Sequence, residues 1–197
     1  MTPFRELSRD PVLRKLIRAV GEPDPFVWPD GGRTGGDNFA ALVLHIVGQQ
    51  ISTAVAFTLF DRIRDALGEL PSPAGILALG PDKLRGFGLS RAKASYLAAL
   101  AESPLDIYHM DHLTDAEAVT ALTAIRGLGP WTAEMFLVHQ LHRTDVLPAG
   151  DVGIRRAIER AWRLDALPSV PATRQRAAAW SPNRTFAAAL LWASLSV

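Results

Sequence analysis

Apolar residues recur at every third or fourth position along most of the chain, which is the spacing of an amphipathic helix. One stripe runs over residues 13–20, a second over 39–47 and a third over 55–67. The strict alternation of apolar and polar residues that marks a half-buried strand is missing. The pattern predicts an all-α fold of about ten short helices, which a chain of 197 residues can arrange as one domain or as two lobes around a cleft.

Capping and turn residues set the expected ends of these helices. Residues 21–38 are rich in Gly and Pro and predict a loop, after which Asp37 or Asn38 can cap the next helix. Ser52 is placed to cap the helix after that. Further helices are expected at 73–80, 81–86, 90–102, 114–124, 131–142, 152–163, 171–180 and 183–195. No linker is long enough to separate autonomous domains, so residues 1–197 are expected to form a single domain.

Composition excludes several kinds of chemistry. The chain contains no cysteine, which excludes disulfides, iron–sulfur clusters, thiolate zinc sites and cysteine nucleophiles. Its five histidines show no metal-binding spacing, so no metal site is expected. We find no secretory signal and no apolar stretch of the roughly 18 residues that a membrane span needs, and we expect a cytoplasmic protein.

Charge alone does not identify a partner. The formal net charge is only +1, yet 18 of the 21 basic residues are arginine, and seven of these lie between residues 151 and 184. Arginine suits bidentate phosphate contacts better than lysine does. The same bias also follows from genomic base composition, and both explanations stay open.

Residues 122–137 have the pattern of two helices joined by a tight hairpin. They read Leu-Thr-Ala-Ile-Arg-Gly-Leu-Gly-Pro-Trp-Thr-Ala-Glu-Met-Phe-Leu. Gly127 and Gly129 permit a tight turn, Leu128 can fill the gap between the helices, and Pro130 suits a first helical position. The exposed N–H groups of such a helix start can bind phosphate, although an ordinary turn with Gly caps has the same composition. A shorter copy of the apolar-Arg-Gly-apolar-Gly pattern occurs at residues 84–88.

The hairpin resembles that of the helix–hairpin–helix DNA glycosylase superfamily, in which a Gly/Pro-rich loop and an Asp follow. Here residues 145–153 read Asp-Val-Leu-Pro-Ala-Gly-Asp-Val-Gly, and the Asp of the motif is Asp151. Three more segments resemble the 3-methyladenine DNA glycosylase II branch. They are His-Ile-Val-Gly-Gln-Gln-Ile-Ser at 45–52, Gly-Leu-Ser-Arg-Ala-Lys at 88–93, and Trp-Ser-Pro-Asn-Arg at 180–184 followed by Trp192. The matches are in order and cover about residues 39–192.

The resemblance implies a DNA glycosylase that removes alkylated purines in base-excision repair. Asp151 would be the catalytic carboxylate, although its position before an apolar helix also suits a plain N-cap. The base pocket would be formed by Trp131, Trp192, Met135 and Phe39. Relatives that also cut the DNA strand have Lys where this chain has Trp131, so no lyase step is expected. Phe26 and Trp28 are further candidates for pocket walls, and Arg184 is expected to bond helix carbonyls or the Asp151 loop.

The resemblance also implies how the protein would hold double-stranded DNA. Gln50 would enter the base stack when the damaged base is flipped out, with Ile51 supporting it. The DNA-binding residues would be Gln49, Gln50, Ile51, Ser52, Gly127, Leu128, Gly129 and Thr132. No cofactor is expected, a monovalent cation at the hairpin carbonyls is left open, and a monomer is the expected state.

Two alternatives remain from the sequence. A relative could remove deaminated or oxidised bases instead, but the lack of cysteine and the presence of Trp131 disfavour several of those branches. A non-catalytic module could use the hairpin only to bind DNA phosphates. Such a module needs neither Asp151 nor its aromatic neighbours, whereas a glycosylase needs both. The presence of these residues therefore distinguishes the two functions.

Overall fold

All regular structure in the computed structural model, which describes residues 2–27 and 30–196, is helical. Within those residues it contains eleven α-helices and short 3-10 helices at Ala178–Trp180 and Ser194–Ser196. The α-helices are α1 (Pro3–Leu7), α2 (Pro11–Val20), α3 (Asn38–Gly48), α4 (Thr53–Leu67), α5 (Pro73–Gly86), α6 (Arg91–Ala101), α7 (Asp115–Thr123), α8 (Pro130–His139), α9 (Val152–Trp162), α10 (Val170–Ala177) and α11 (Arg184–Ala193). The all-α prediction is confirmed.

Side-chain caps explain where most of these helices begin. Asp37 accepts a hydrogen bond from the N–H of Ala40, which selects Asp37 rather than Asn38 as the cap of α3. Ser52 caps α4 as predicted, and Thr114 forms a reciprocal capping box with Glu117 at α7. These local bonds satisfy backbone N–H groups that have no partner inside the helix.

Several helices differ from the predicted ones, and α10 is one of them, because it ends at Ala177 and residues 178–180 form a 3-10 helix. Helix α1 was not predicted, because it has five residues and too few apolar positions to show a period. The expected helices at 73–80 and 81–86 form α5, which is interrupted at Gly80, where φ is 69°. Helix α8 ends at His139 rather than at residue 142, and His142 has a left-handed φ of 49°, which a continuing helix does not allow.

The chain divides into two compact units. The terminal unit comprises the described residues of Met1–Val27 and Leu137–Val197, and the middle unit those of Trp28–Phe136. In the terminal unit, α11 packs against α2 and α9 around a core that includes Leu13, Ile158 and Leu190. Phe26 also belongs to this unit, where its ring contacts those of Phe186 and His142. Trp28, the other candidate pocket wall, lies outside the described residues.

The middle unit is built around α3. Every residue from Phe39 to Val47 is buried, and all of them except His45 are apolar, so this helix is buried on all sides. Helices α4 and α6 pack against α3, and α5 packs against α6. This arrangement surrounds α3 and leaves its C-terminal end, at Gly48, as the start of an exposed turn.

Across the described parts of the chain, no helix has both the length and the apolar character that crossing a membrane requires.

Replacing Leu97 with Ala should strongly destabilise the middle unit. Leu97 is fully buried in α6, and removal of a buried leucine side chain costs about 2–5 kcal/mol. Leu77→Ala is the matched control, because Leu77 is 46% exposed, and it should cost no more than about 0.5 kcal/mol. Urea unfolding followed by circular dichroism measures both values. Equal destabilisation by the two variants would contradict this packing.

Candidate functional site

The predicted hairpin is present between α7 and α8. Helix α7 ends at Thr123 and α8 starts at Pro130, as the sequence indicated. In the intervening turn, the N–H of Leu128 donates to the carbonyl of Ile125 at 3.1 Å. The Leu128 side chain is 4% exposed, so it fills the interior of the hairpin as expected. The turn therefore joins α7 and α8 in the hairpin form that the sequence predicted.

Gly127 is required by the close packing of this hairpin on Tyr96. Its φ of 96° lies in the left-handed region, and a Cβ at this position would lie 2.2 Å from Cγ of Tyr96. Such a separation is shorter than any van der Waals contact. Tyr96 lies on α6 and was not identified from the sequence. Its ring packs against Gly127, so it limits how closely the hairpin can approach that helix.

The shorter copy of the hairpin motif has a different geometry. In residues 84–88 the second glycine, Gly88, has positive φ, whereas in residues 125–129 the first glycine, Gly127, does. The copy at 84–88 instead closes α5 and leads to Ser90, which caps α6. The internal similarity is therefore one of composition and not of backbone conformation.

The Gln49–Ser52 segment forms the exposed turn between α3 and α4. Gln50 is exposed and has a φ of 58°, in the left-handed region that non-glycine residues rarely adopt. Ile51 beside it is 37% exposed. Ser52 accepts the N–H of Val55 at 3.4 Å and so caps α4. The turn thus presents a polar and an apolar side chain to solvent at a strained position.

This turn and the hairpin are joined by a hydrogen bond. Nε2 of Gln49 donates to the carbonyl oxygen of Gly127 at 2.9 Å. Together the two segments line a cavity of about 500 Å³. The lining residues are Gln49, Gln50, Tyr96, Gly127, Leu128, Gly129, Trp131 and Thr132. The structure therefore brings six of the eight predicted DNA-binding residues to one place, with Trp131 beside them.

A second group of predicted site residues lies in the terminal unit, at the start of α9. Asp151 is the N-cap of this helix, and its Oδ1 accepts the N–H of Ile154 at 2.9 Å. The same oxygen accepts the indole N–H of Trp192 at 3.0 Å. The sequence assigned Asp151 and Trp192 to one site, and the structure places them in direct contact.

Gly153 makes room for this contact. A Cβ on Gly153 would lie 2.9 Å from Oδ1 of Asp151 and 3.6 Å from Cδ1 of Trp192. The glycine therefore lets the carboxylate fold back over the first turn of α9. Its position two residues after a predicted catalytic Asp was the only signal for this role in the sequence.

A bidentate ion pair holds the loop that leads to Asp151. Nε and the NH2 nitrogen of Arg184 donate to the two carboxylate oxygens of Asp145 at 2.8 and 2.9 Å, and Ser181 donates to one of them at 2.7 Å. Burial raises the pKa of Asp145, but the hydrogen bonds from Arg184 and Ser181 outweigh burial and leave the pKa below its usual value. Arg184 thus anchors the loop before Asp151 through Asp145, which agrees with its expected structural role.

Some predicted pocket residues expose little surface. Phe39 is 1% exposed and Met135 is 9% exposed, and Thr132 among the predicted DNA contacts is 3% exposed. Phe39 is a core residue of the middle unit, because α3 is buried on all sides, and its assignment to the pocket stays a prediction. Trp131 is half-buried and borders the cavity at the hairpin.

No cluster of three or more His, Asp or Glu side chains that could hold a metal ion occurs within residues 2–27 and 30–196.

Comparison with known proteins identifies the class to which this fold and site belong. Residues 43–183 match the model of the HhH-GPD superfamily of base excision DNA repair proteins. This match covers both the hairpin and the Asp151 loop. The chain therefore belongs to the HhH-GPD superfamily.

Individual relatives within this superfamily are named as DNA-3-methyladenine glycosylases. A Bacillus subtilis protein named provisionally as a DNA-3-methyladenine glycosylase is 32% identical over 161 residues, which are 76% of this chain. DNA-3-methyladenine glycosylase 1 of Schizosaccharomyces pombe is 28% identical over 91% of this chain. The chain spans 56% of the length of the first protein and 80% of that of the second.

A solved structure gives the same comparison in three dimensions. The 3-methyladenine DNA glycosylase of Schizosaccharomyces pombe, in complex with abasic DNA, superposes with a TM-score of 0.86 at 27% identity. The superposition covers 100% of this chain and 98% of that one.

Gly127→Ala should disrupt the hairpin. The added methyl group overlaps the Tyr96 ring, and overpacking of this kind costs about 1–3 kcal/mol. Gly129→Ala is the matched control, because a Cβ there meets nothing within 4 Å and the backbone is not left-handed. Urea unfolding measures the stability of both variants. Only the Gly127 variant should lose stability, and equal stabilities of the two variants would contradict the packing.

Proposed function

We propose that this protein is a DNA glycosylase that hydrolyses the N-glycosidic bond of alkylated purines of the 3-methyladenine type, in base-excision repair. The observation that carries the proposal is the Asp151 carboxylate, which the N–H of Ile154 and the indole of Trp192 fix at the start of α9. Membership of the HhH-GPD superfamily and relatives named as 3-methyladenine glycosylases support the same reaction.

The proposed chemistry needs a fixed negative charge and a water molecule. As the base leaves, the sugar gains oxocarbenium character, and a nearby carboxylate stabilises this positive charge. The carboxylate can also orient or deprotonate the attacking water. A 3-alkylated or 7-alkylated purine is already cationic, so it leaves as a neutral base without a strong general acid. Asp151 alone is therefore sufficient for the catalytic role in this proposal.

Trp192 has two roles in the proposal. Its N–H donates to Oδ1 of Asp151, which fixes the orientation of the carboxylate, and this bond also fixes the plane of the indole ring. A large aromatic face next to the carboxylate suits an electron-poor, cationic purine, because cations are attracted to the face of an aromatic ring. On the resemblance alone, we include Trp131 and Met135 among the residues that contact the base.

We propose that the enzyme has no lyase step. Strand-cutting relatives use a lysine amine at the place of Trp131 to form a Schiff base with the sugar. The indole of Trp131 has no nucleophilic amine, so it cannot form this intermediate. Hydrolysis would then end at an abasic site with an intact strand.

DNA binding in this proposal uses the cavity between the turn and the hairpin. The start of α8 offers backbone N–H groups to a phosphate, which positions the strand without reading its sequence. Gln50, exposed and held in a left-handed conformation, would fill the space that the flipped base leaves. Ile51 next to it would support this insertion by apolar contact.

The remaining expectations follow from this reaction and stay proposals. Hydrolysis by a carboxylate and water requires no cofactor, and a monovalent cation at the hairpin carbonyls would assist phosphate binding only. We propose that a monomer acts on double-stranded DNA with alkylated bases, in the cytoplasm with the nucleoid.

Asp151→Asn tests the catalytic assignment. The variant should release 3-methyladenine from methylated DNA at least about 100-fold more slowly, because loss of one preorganised charged group commonly has this effect. Asp165→Asn, at an exposed position, makes the same charge change and should leave the rate unaltered. Chromatography of the freed bases gives the rates, and binding to abasic-site DNA shows that the variant still folds. A fully active Asp151→Asn enzyme would refute the proposal.

Trp192→Phe separates the two roles of Trp192. The variant keeps an aromatic ring but cannot donate to Asp151, and a hydrogen bond to a charged group contributes about 1.5–3 kcal/mol, so we expect at least a tenfold lower rate of base release. Trp192→Leu removes the ring as well and should be slower still. If Phe preserved the full single-turnover rate, the bond to Asp151 would have no part in catalysis.

A further inference from the structure

The turn that carries Gln50 needs support from outside itself. Gln50 has a left-handed φ of 58° without being glycine, and such residues persist only where the surrounding structure holds them. Within the turn, the backbone bonds are long, with Gln49 N to Ile46 O at 3.3 Å and Ile51 N to Gly48 O at 3.4 Å. Two side-chain hydrogen bonds at residues just before Gln50 are shorter, one from Lys93 and one from Gln49.

Lys93 contacts the end of the helix that precedes the turn. Its Nζ donates to the carbonyl oxygen of Val47 at 2.7 Å. The last carbonyls of a helix have no partner within the helix and carry the negative end of its dipole, so an ammonium group is favoured there. Lys93 is half-buried, and burial lowers the pKa of its ammonium group. This lysine therefore gives up part of its hydration to bind the end of α3.

The position of Lys93 follows from the Gly88–Lys93 segment that the sequence singled out. Ser90 caps α6 by accepting the N–H of Lys93 at 3.2 Å. This cap fixes the first turn of α6, from which the Lys93 side chain extends to Val47. We assign the segment no other role in the site. It places Lys93 where the side chain can bond the last turn of α3, next to the Gln50 turn.

Gln49, which directly precedes Gln50, contacts the hairpin. Its side-chain amide donates to the carbonyl of Gly127, so the amide is engaged with protein rather than directed to solvent. Gly127 itself is held by its packing on Tyr96, on the same helix as Lys93. Helix α6, the hairpin and the turn are thereby tied together through two side chains.

We propose that Lys93 and Gln49 are positioning residues that hold the Gln50 turn in its inserting conformation before DNA binds. Gln49 was predicted as a DNA contact, and this role replaces that one. A preformed turn avoids the cost of ordering the segment during base flipping. The inference rests on the proposed function, since it assigns Gln50 to the space left by the flipped base.

The experiment compares single and double variants. Lys93→Met keeps most of the aliphatic side chain and removes the ammonium group, and Gln49→Met removes the amide donor at similar size. Lys83→Met, at an exposed position on α5, is the matched control for the loss of one positive charge. Each is made in the parent and in a Gln50→Ala background.

Two readouts separate positioning from general stability. Fluorescence of 2-aminopurine placed opposite an abasic-site analogue reports insertion into the duplex and requires no catalysis. Single-turnover release of 3-methyladenine reports the whole reaction. Lys93→Met and Gln49→Met should each lower both signals about fivefold in the parent, a loss of the size that one helix-end contact supports. In the Gln50→Ala background neither should cause a further loss, and Lys83→Met should cause none in either background.

The other outcomes overturn the proposal. If Lys93→Met reduces the signals equally with and without Gln50, it acts through general stability, and if it reduces neither, it has no positioning role. If the parent shows the 2-aminopurine signal but releases no base, the catalytic proposal fails while the positioning role stands. If the parent shows no insertion signal, the role of Gln50 and this inference fail together.

Discussion

The unsatisfied backbone groups at helix ends are the constraint on which this site depends. Each segment that carries the proposed function lies where a helix stops or starts: Gln50 after α3, the hairpin before α8 and Asp151 before α9. At such ends the chain must find partners for N–H or C=O groups, or offer them to a ligand. The protein supplies partners at two of these ends, with Lys93 bonded to the end of α3 and Asp151 to the start of α9.

The fold was largely predictable because its signals are local. Capping residues such as Ser52 and Thr114 act within three residues of themselves, and the apolar spacing along α3 shows directly which helix is buried. The hairpin was likewise predictable from Gly127, Leu128 and Pro130. The errors fell on elements with weak local signals, namely the five-residue α1 and the end of α8.

Within the site, what the sequence missed depends on contacts between distant residues. Tyr96 meets Gly127 and Lys93 meets Val47 across 31 and 46 positions of the chain, and no periodicity reports such pairs. Family resemblance identified Asp151 and Trp192 as site residues. It did not identify the hydrogen bond between them, because that bond depends on a distance in the folded protein that no sequence motif records. It also assigned Phe39 to the pocket, but it did not show that this residue is 1% exposed in the packing around α3.

The packing around Gly153 limits how this chain can change over evolutionary time. A β-carbon at this position would lie 2.9 Å from Oδ1 of Asp151, with Leu195 and Trp192 next to it. Descendants that keep the same acid at 151 can therefore accept a side chain at 153 only together with a shift of that carboxylate. Selection on the position of the acid thereby acts on the residue at 153 as well.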